Sequence, residues 1–368
     1  MSDTPTEAPH VAESMADLVA SSDVIVCCGS GGVGKTTTAA VVALDAARGG
    51  RRVVVVTIDP ARRLADALGL TGGLSSSPQR IEGVGESSGG AGEMWAMMLD
   101  TAATFDGLVR RYAEDDEQIE RILSNGFYRN MAGAMSGTQE YMAAETLHAL
   151  HHDDRFDLVV VDTPPSRNAL DFLDAPGVLS RFLEHRIFKL AMLPTRSGLK
   201  IFGAAAQPIF RAIGRVVGSD VLADSLAFFQ AFSGMETGFR ERADEVVELL
   251  RAERTSFVVV ASAKRDTITE AVWFARQLEE QGVGVGAAIV NRLHPEFVEV
   301  DLPAVPELVD LCDNVTELRA LRSAEVEALV PLVDAVEPAP VAMIPLLGDD
   351  VHDLDTLDQI AAHLFARS

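Results

Sequence analysis

Eight residues near the start of the chain, Gly29-Ser30-Gly31-Gly32-Val33-Gly34-Lys35-Thr36, have the spacing G-x-x-x-x-G-K-[ST]. Glycines in such a run let successive backbone N–H groups converge on phosphate oxygens. The lysine then reaches the β- and γ-phosphates, and the hydroxyl that follows can ligate Mg²⁺. The flanks agree with this chemistry. The apolar run Val24 to Cys28 precedes the loop as a buried strand would, and Thr37 opens an Ala-rich helical pattern that continues to Arg48. A glycine-rich turn that binds nothing is the competing reading, and the strand-loop-helix setting weighs against it. Gly29 to Thr37 is therefore the candidate phosphate-binding segment.

Three further polar side chains stand at the ends of apolar runs. Val53 to Ile58 leads into Asp59-Pro60, Phe156 to Val161 into Asp162-Thr163-Pro164-Pro165, and Val285 to Val290 into Asn291-Arg292. Apolar runs without alternation fit parallel strands buried on both faces, whose C-terminal ends present groups to a ligand. Asp162 is thereby placed to hold the water shell of Mg²⁺. Asp59 has two open readings: a carboxylate facing the ligand, or the N-cap of a helix beginning near Ala61.

Positioning these groups takes a sheet. Further strand-like runs at Met94 to Leu99, Thr255 to Ala261 and Val341 to Ile344 alternate with helical patterns. The alternation predicts an α/β fold with a doubly wound, mainly parallel sheet, and the Gly29 to Thr36 motif makes it of the P-loop NTPase kind, read here with a helical insertion. Residues 1–20 read as a leader and short helix, 21–368 as the P-loop domain, and about 101–150 and 168–240 as its helical subdomain. Leu70 to Gly92, rich in Gly and Ser, reads as an exposed connection, and Val326 to Val333 as helical. Leu179 to Phe239 carries more apolar and aromatic surface than a crossover helix needs, so a helical core and a surface for an apolar client both stay open. His148, His151 and His152 close the helix before Asp162; solvation or the helix dipole outweighs a metal reading there.

The chain has 368 residues, 48% of them hydrophobic, enough for one large α/β domain or two ordinary ones. Its 31 Lys and Arg against 55 Asp and Glu give a formal net charge of −24. That argues against a nucleic-acid partner or an anionic membrane surface, since both need clustered cations. Three cysteines, two of them adjacent in the first strand run, cannot staple a secreted scaffold, and Cys312 has no neighbour at metal-ligand spacing. Met1 to Asp17 lacks the apolar stretch of a signal peptide, and no run reaches the roughly 18 apolar residues of a spanning helix. A cytoplasmic location is expected.

On these stretches the sequence resembles the arsenite-pump ATPase family, which includes the tail-anchored-protein-targeting ATPases and belongs to the deviant-Walker P-loop class. Asp59-Pro60-Ala61 with Leu64 and Asp66 resembles the family's switch I, D-P-A-H-x-L-x-D, whose first Asp positions the attacking water. Asp162-Thr163-x-Pro165 resembles its switch II, and Gly137-x-x-Glu140 is similar to a segment near the nucleotide and dimer interface. Asn291 matches the adenine-contacting Asn, and Ile344-Pro345-Leu346-Leu347 the late Pro-Leu-Leu segment. The resemblance implies an ATPase that uses ATP and Mg²⁺, with Lys35, Asp59 and Asp162 catalytic and the metal held by Thr36 and, through water, by Asp162. It also implies cycling between ATP-closed and ADP-open dimers, with a client groove formed by the helical region after switch II.

Ser30 stands where the family has the first Lys of G-K-G-G-V-G-K-T, which reaches across the dimer to the partner's nucleotide. Arg167 and Asn168 replace Gly and His in switch II, and Arg62 replaces His in switch I. The cysteine pairs that hold zinc in the targeting ATPases and arsenite in the pump have no counterpart, so neither site is expected. Two assemblies follow. In a homodimer a local cation such as Arg62, Arg63 or Arg167 would stand in for the lysine. In a heterodimer a paralogue would carry it, and this chain would hydrolyse weakly or not at all. An ATPase subunit of an oxyanion transporter is a further alternative, in which a membrane-protein partner would hold the chain peripherally at the membrane.

Overall fold

The computed structural model describes residues 12–59, 61–84, 92–132, 138–164, 219–297, 309–348 and 350–365. Numbered along the chain, the strands are β1 (Val24–Gly29), β2 (Arg52–Thr57), β3 (Gln79–Arg80), β4 (Glu93–Met98), β5 (Leu158–Asp162), β6 (Thr255–Ser262), β7 (Val285–Leu293) and β8 (Val341–Pro345). The helices are α1 (Met15–Ser21), α2 (Lys35–Arg48), α3 (Arg63–Ala67), α4 (Thr101–Tyr112), α5 (Asp116–Leu123), α6 (Gly126–Ala132), α7 (Thr138–His151), α8 (Ser219–Ala231), α9 (Glu236–Leu250), α10 (Arg265–Glu280), α11 (Val309–Ala328), α12 (Val330–Val336) and α13 (Leu354–Leu364). The described residues fall into two compact units: one holds the segments through Met98, from Leu150 to Pro164 and from Arg251 onward, the other those between Leu99 and Ala149 and from Ser219 to Leu250.

In the first unit all eight strands form one sheet, ordered β3-β4-β2-β5-β1-β6-β7-β8. Each neighbouring pair is parallel except β3 with β4. The apolar runs make this possible, because β-branched side chains pack well on both faces of a pleated surface and both faces are covered. Ile25, Cys27, Val53, Val55, Val160 and Val258 share one core with α1, α2 and α13. On α10, Ile268, Ala271, Phe274, Ala275 and Leu278 are buried, an apolar stripe at helical spacing that packs on β6 and β1. Register then decides which side chains meet. Asp162 is paired with Cys27 on one side and with Thr57 on the other, so one carboxylate lies beside the ends of both β1 and β2.

The sheet bears out the doubly wound reading, with differences in detail. The Gly- and Ser-rich connection contains β3, antiparallel to β4, and buries Ile81 and Val84; turn residues dominate its composition and hide the two-residue pairing. The helix expected at Val326 to Val333 is broken at Leu329: Val330 to Val333 belong to α12, and Val326 to Ala328 are the end of α11, 20 residues long. Its apolar residues are spread around the helix rather than gathered in a stripe, and Leu311, Leu321 and Val326 are exposed, so no periodicity announces it. β7 continues past Val290 to Leu293 through a register shift, with Arg292 at φ 62°.

The second unit is helical. Phe105, Tyr128, Phe228, Phe232, Met235 and Phe239 pack in its core, and the rings of Phe232 and Phe239 lie 4.9 Å apart. The part of Leu179 to Phe239 that is described is thus core rather than client surface where Phe228, Phe232, Met235 and Phe239 are concerned; the earlier part lies outside the described residues. His148 is not solvated, as the helix-end reading expected. It is buried, 3.3 Å from Arg242, whose guanidinium forms a bidentate pair with Glu145 at 2.7 to 2.8 Å. Among the described residues no group of three or more His, Cys, Asp or Glu could hold a metal ion.

Candidate nucleotide site

The site is built at the C-terminal ends of β1, β2, β5 and β7. Gly29, at φ 146°, ends β1 where a Cβ would lie 2.1 Å from the carbonyl oxygen of Val260 on β6, so no larger residue fits this close approach. Val33 is buried and fastens the loop to the core. Gly34 precedes α2 in the left-handed region at φ 103°, where a Cβ would lie 2.2 Å from Asn291 Nδ2. No side chain caps α2, so the N–H groups of its first turn remain available to an anion.

Lys35 is the first residue of α2 and only 5% exposed. Its Nζ donates to the carbonyl of Ser30 at 2.9 Å. Burial pushes its pKa down, while Asp162 pulls the other way. The Thr36 and Thr57 hydroxyls both donate to Asp162 Oδ2 at 2.8 Å. Asp162 is 1% exposed and its Oδ1 is buried without a hydrogen-bond partner. Burial raises its pKa from 3.8 to about 6, against the pull of the two threonine hydroxyls and Lys35. A buried carboxylate with an unsatisfied oxygen beside a hydroxyl is an all-oxygen donor set of the kind Mg²⁺ takes when it keeps several waters. These residues fit the metal.

Asp59 Oδ1 accepts from the Ala61 N–H at 2.9 Å, and its other oxygen lies 3.4 Å from Arg63. It therefore turns the chain after β2, while α3 begins only at Arg63. Arg62 donates to the carbonyl of Thr71 at 2.9 Å. The Ser30 hydroxyl donates to Glu270 on α10. Asn291 Nδ2 donates to the Val33 carbonyl at 3.0 Å, and Arg292 to the Gly32 carbonyl at 3.2 Å. Cys27 and Cys28 are buried; burial raises both thiols, Cys28 to about 12, which keeps them protonated.

The structure thus gathers Gly29 to Thr37, Asp162 and Asn291 around one loop, with Asp59 at the neighbouring strand end. Pro60, Gly137, Pro165, Arg167 and Asn168 lie outside the described residues. Sequence reasoning missed Thr57, Glu270 and Arg292. Thr57 and Arg292 carried a signal, as polar residues at the ends of apolar runs; Glu270, inside a helix far along the chain, carried none.

A parallel sheet centred on β1, with a G-x-x-x-x-G-K-T loop leading into α2, is the architecture of a P-loop NTPase. The chain belongs to the anion-transporting ATPase family, whose sequence model matches residues 22–366. It is similar to the ATPase GET3 of Malassezia globosa, 26% identical over 310 residues that cover 84% of this chain and 80% of the fungal protein. It is equally similar to the ATPase get3 of Aspergillus terreus, 26% identical over 309 residues covering 83% and 79%. These matches bear out the family resemblance. Among the described residues no helix is long and apolar enough to cross a membrane.

Proposed function

We propose that this chain binds ATP with Mg²⁺ in the loop between β1 and α2 and hydrolyses it, and that nucleotide-driven opening and closing of a dimer acts on a protein client or partner in the cytoplasm. The observation that carries this reading is the meeting of a buried lysine, Lys35, with the Thr36 hydroxyl and the Asp162 carboxylate at the end of a glycine loop. Lys35 would leave the Ser30 carbonyl for the β- and γ-phosphate oxygens, and Gly31 to Gly34 would donate backbone N–H groups. Thr36 and, through water, Asp162 would hold Mg²⁺, which supplies charge neutralisation at the phosphates. Asp59 would orient the attacking water, held at the strand edge by the Ala61 N–H and Arg63. Asn291 would contact the adenine. The helical region after switch II, Leu179 to Phe239, would supply the client surface outside its core residues Phe228, Phe232, Met235 and Phe239. Chemistry of this type is mostly positioning and electrostatics.

The test is binding of a fluorescent ATP analogue and release of phosphate, with and without Mg²⁺, by the wild type and by Lys35→Ala. Binding and turnover lost in the variant are expected; undiminished affinity and turnover would overturn the reading.

Ser30 favours a second reading, because it is neutral and tied to Glu270. In it the chain is a weakly or non-hydrolysing regulatory subunit of a heterodimer whose other subunit carries the loop lysine. Turnover of the isolated chain that stays low and rises manyfold on adding such a paralogue would select this reading. The name of the family also keeps an oxyanion-transport role in view, and co-purification of a membrane protein from the native cell would select that one.

A further inference from the structure

We propose that Arg292 is a phosphate-contact residue, supplying from this same chain a second, exposed cation to the polyphosphate of the bound nucleotide. The inference rests on the phosphate-loop reading and adds a residue to it. Arg292 is a non-glycine residue at φ 62°, a left-handed conformation that places Cβ against the following carbonyl and costs free energy. It sits where β7 loses register with β8 between Val290 and Leu293, and such irregularities at strand ends re-aim side chains. Here the re-aimed guanidinium reaches the loop, with Nη1 3.2 Å from the carbonyl oxygen of Gly32. Asn291, one residue earlier, reaches the next carbonyl along, that of Val33.

One exposed, rather long hydrogen bond to a carbonyl returns less than the strained backbone costs, so the loop contact alone does not explain the conformation. A guanidinium has five donors in a planar fork that matches phosphate oxygens, and one donor on Gly32 leaves the others for a ligand in the loop. Among the described residues, the other polar and charged side chains near the loop leave room for such a cation. Lys35 is buried, Ser30 is neutral and donates to Glu270, and Arg62 and Arg63 are directed to Thr71 and Asp59.

The conformation also provides a clean variant. Glycine takes φ 62° without strain, so Arg292→Gly removes the guanidinium while relaxing the backbone. Wild type, Arg292→Gly, Arg292→Lys and Lys35→Ala are titrated as full-length chains with MgATP, MgADP and AMP, at two salt concentrations, with thermal melting of each. Arg292→Gly should melt at or above the wild-type temperature yet bind ATP about 10- to 100-fold more weakly. AMP affinity should change much less, and Arg292→Lys should recover part of the loss. The salt dependence of ATP binding should weaken in the glycine variant. Wild-type ATP affinity in Arg292→Gly, with affinity lost in Lys35→Ala, would overturn the proposal while leaving the nucleotide site standing. An equal loss for ATP and AMP, unrelieved by lysine, would also overturn it and reduce Arg292 to a loop tether. Unchanged binding in Lys35→Ala would remove the site reading and the proposal together.

Discussion

Thr36 donates its hydroxyl to Asp162 at 2.8 Å, across 126 residues of chain, and Thr57 donates to the same oxygen. The pair joins the phosphate loop to the end of β5, and the second carboxylate oxygen of Asp162 is left buried without a hydrogen bond. Burial makes the charged form of this carboxylate costly, and this has consequences for pH.

In the ligand-free protein the Asp162 carboxyl titrates near 6 rather than 3.8 because it is buried. The folded state therefore holds this proton more tightly than the unfolded chain. The stability that results is complete below about pH 4 and lost as the pH passes about 6, on the order of 2–3 kcal/mol in all. Asp162→Asn has no such titration. Its unfolding free energy relative to wild type should move in its favour by about that amount between pH 4 and pH 7.5, measured by urea unfolding without Mg²⁺ or nucleotide. A pH-independent difference would contradict the burial argument.

Asp59→Asn keeps an oxygen for the Ala61 N–H and loses the pair with Arg63, whose side chain is 58% exposed and whose pairing is worth less than about 1 kcal/mol. Folding and ATP affinity should hardly change; on the proposed role of Asp59 in orienting the attacking water, phosphate release should fall by about 100-fold or more. Normal phosphate release would return Asp59 to the turn alone.

Gly34→Ala puts a Cβ 2.2 Å from Asn291 Nδ2 at a backbone φ of 103°. Strain of this kind costs about 1–3 kcal/mol, and Asn291 must also leave the Val33 carbonyl. Both the melting temperature and the affinity for ATP should drop, as calorimetry and titration would show. An unaltered melting temperature would mean that the loop rearranges freely.

In the helical unit Arg242 and Glu145 are each only 5% exposed at the side chain and 2.7 Å apart. Arg242→Met strands a buried carboxylate and should destabilise this unit by about 3–5 kcal/mol, whereas Arg242→Met with Glu145→Leu should recover most of that loss. A double-mutant cycle in urea gives the coupling. Additive losses would show that Glu145 draws its stabilisation from other neighbours.

The local plan of the site was legible in the chain. Gly29 to Thr36 declares a phosphate loop through its glycine spacing, and at Gly29 and Gly34 the positive φ and close approach admit no larger residue. Val53 to Ile58 and Phe156 to Val161 declare buried parallel strands because both faces are apolar, and Asp59 and Asp162 fall at the C-terminal ends of those strands. Spacing along the chain carries this information, since each element's own residues set its conformation. What tertiary structure alone decided is which distant groups meet. Strand order places Asp162 beside both Thr36 and Thr57, the packing of α10 brings Glu270 to Ser30 across 240 residues, and a register shift in β7 turns Arg292 onto Gly32. No periodicity encodes such pairings, because they depend on how crossovers stack the elements and on the register that packing selects.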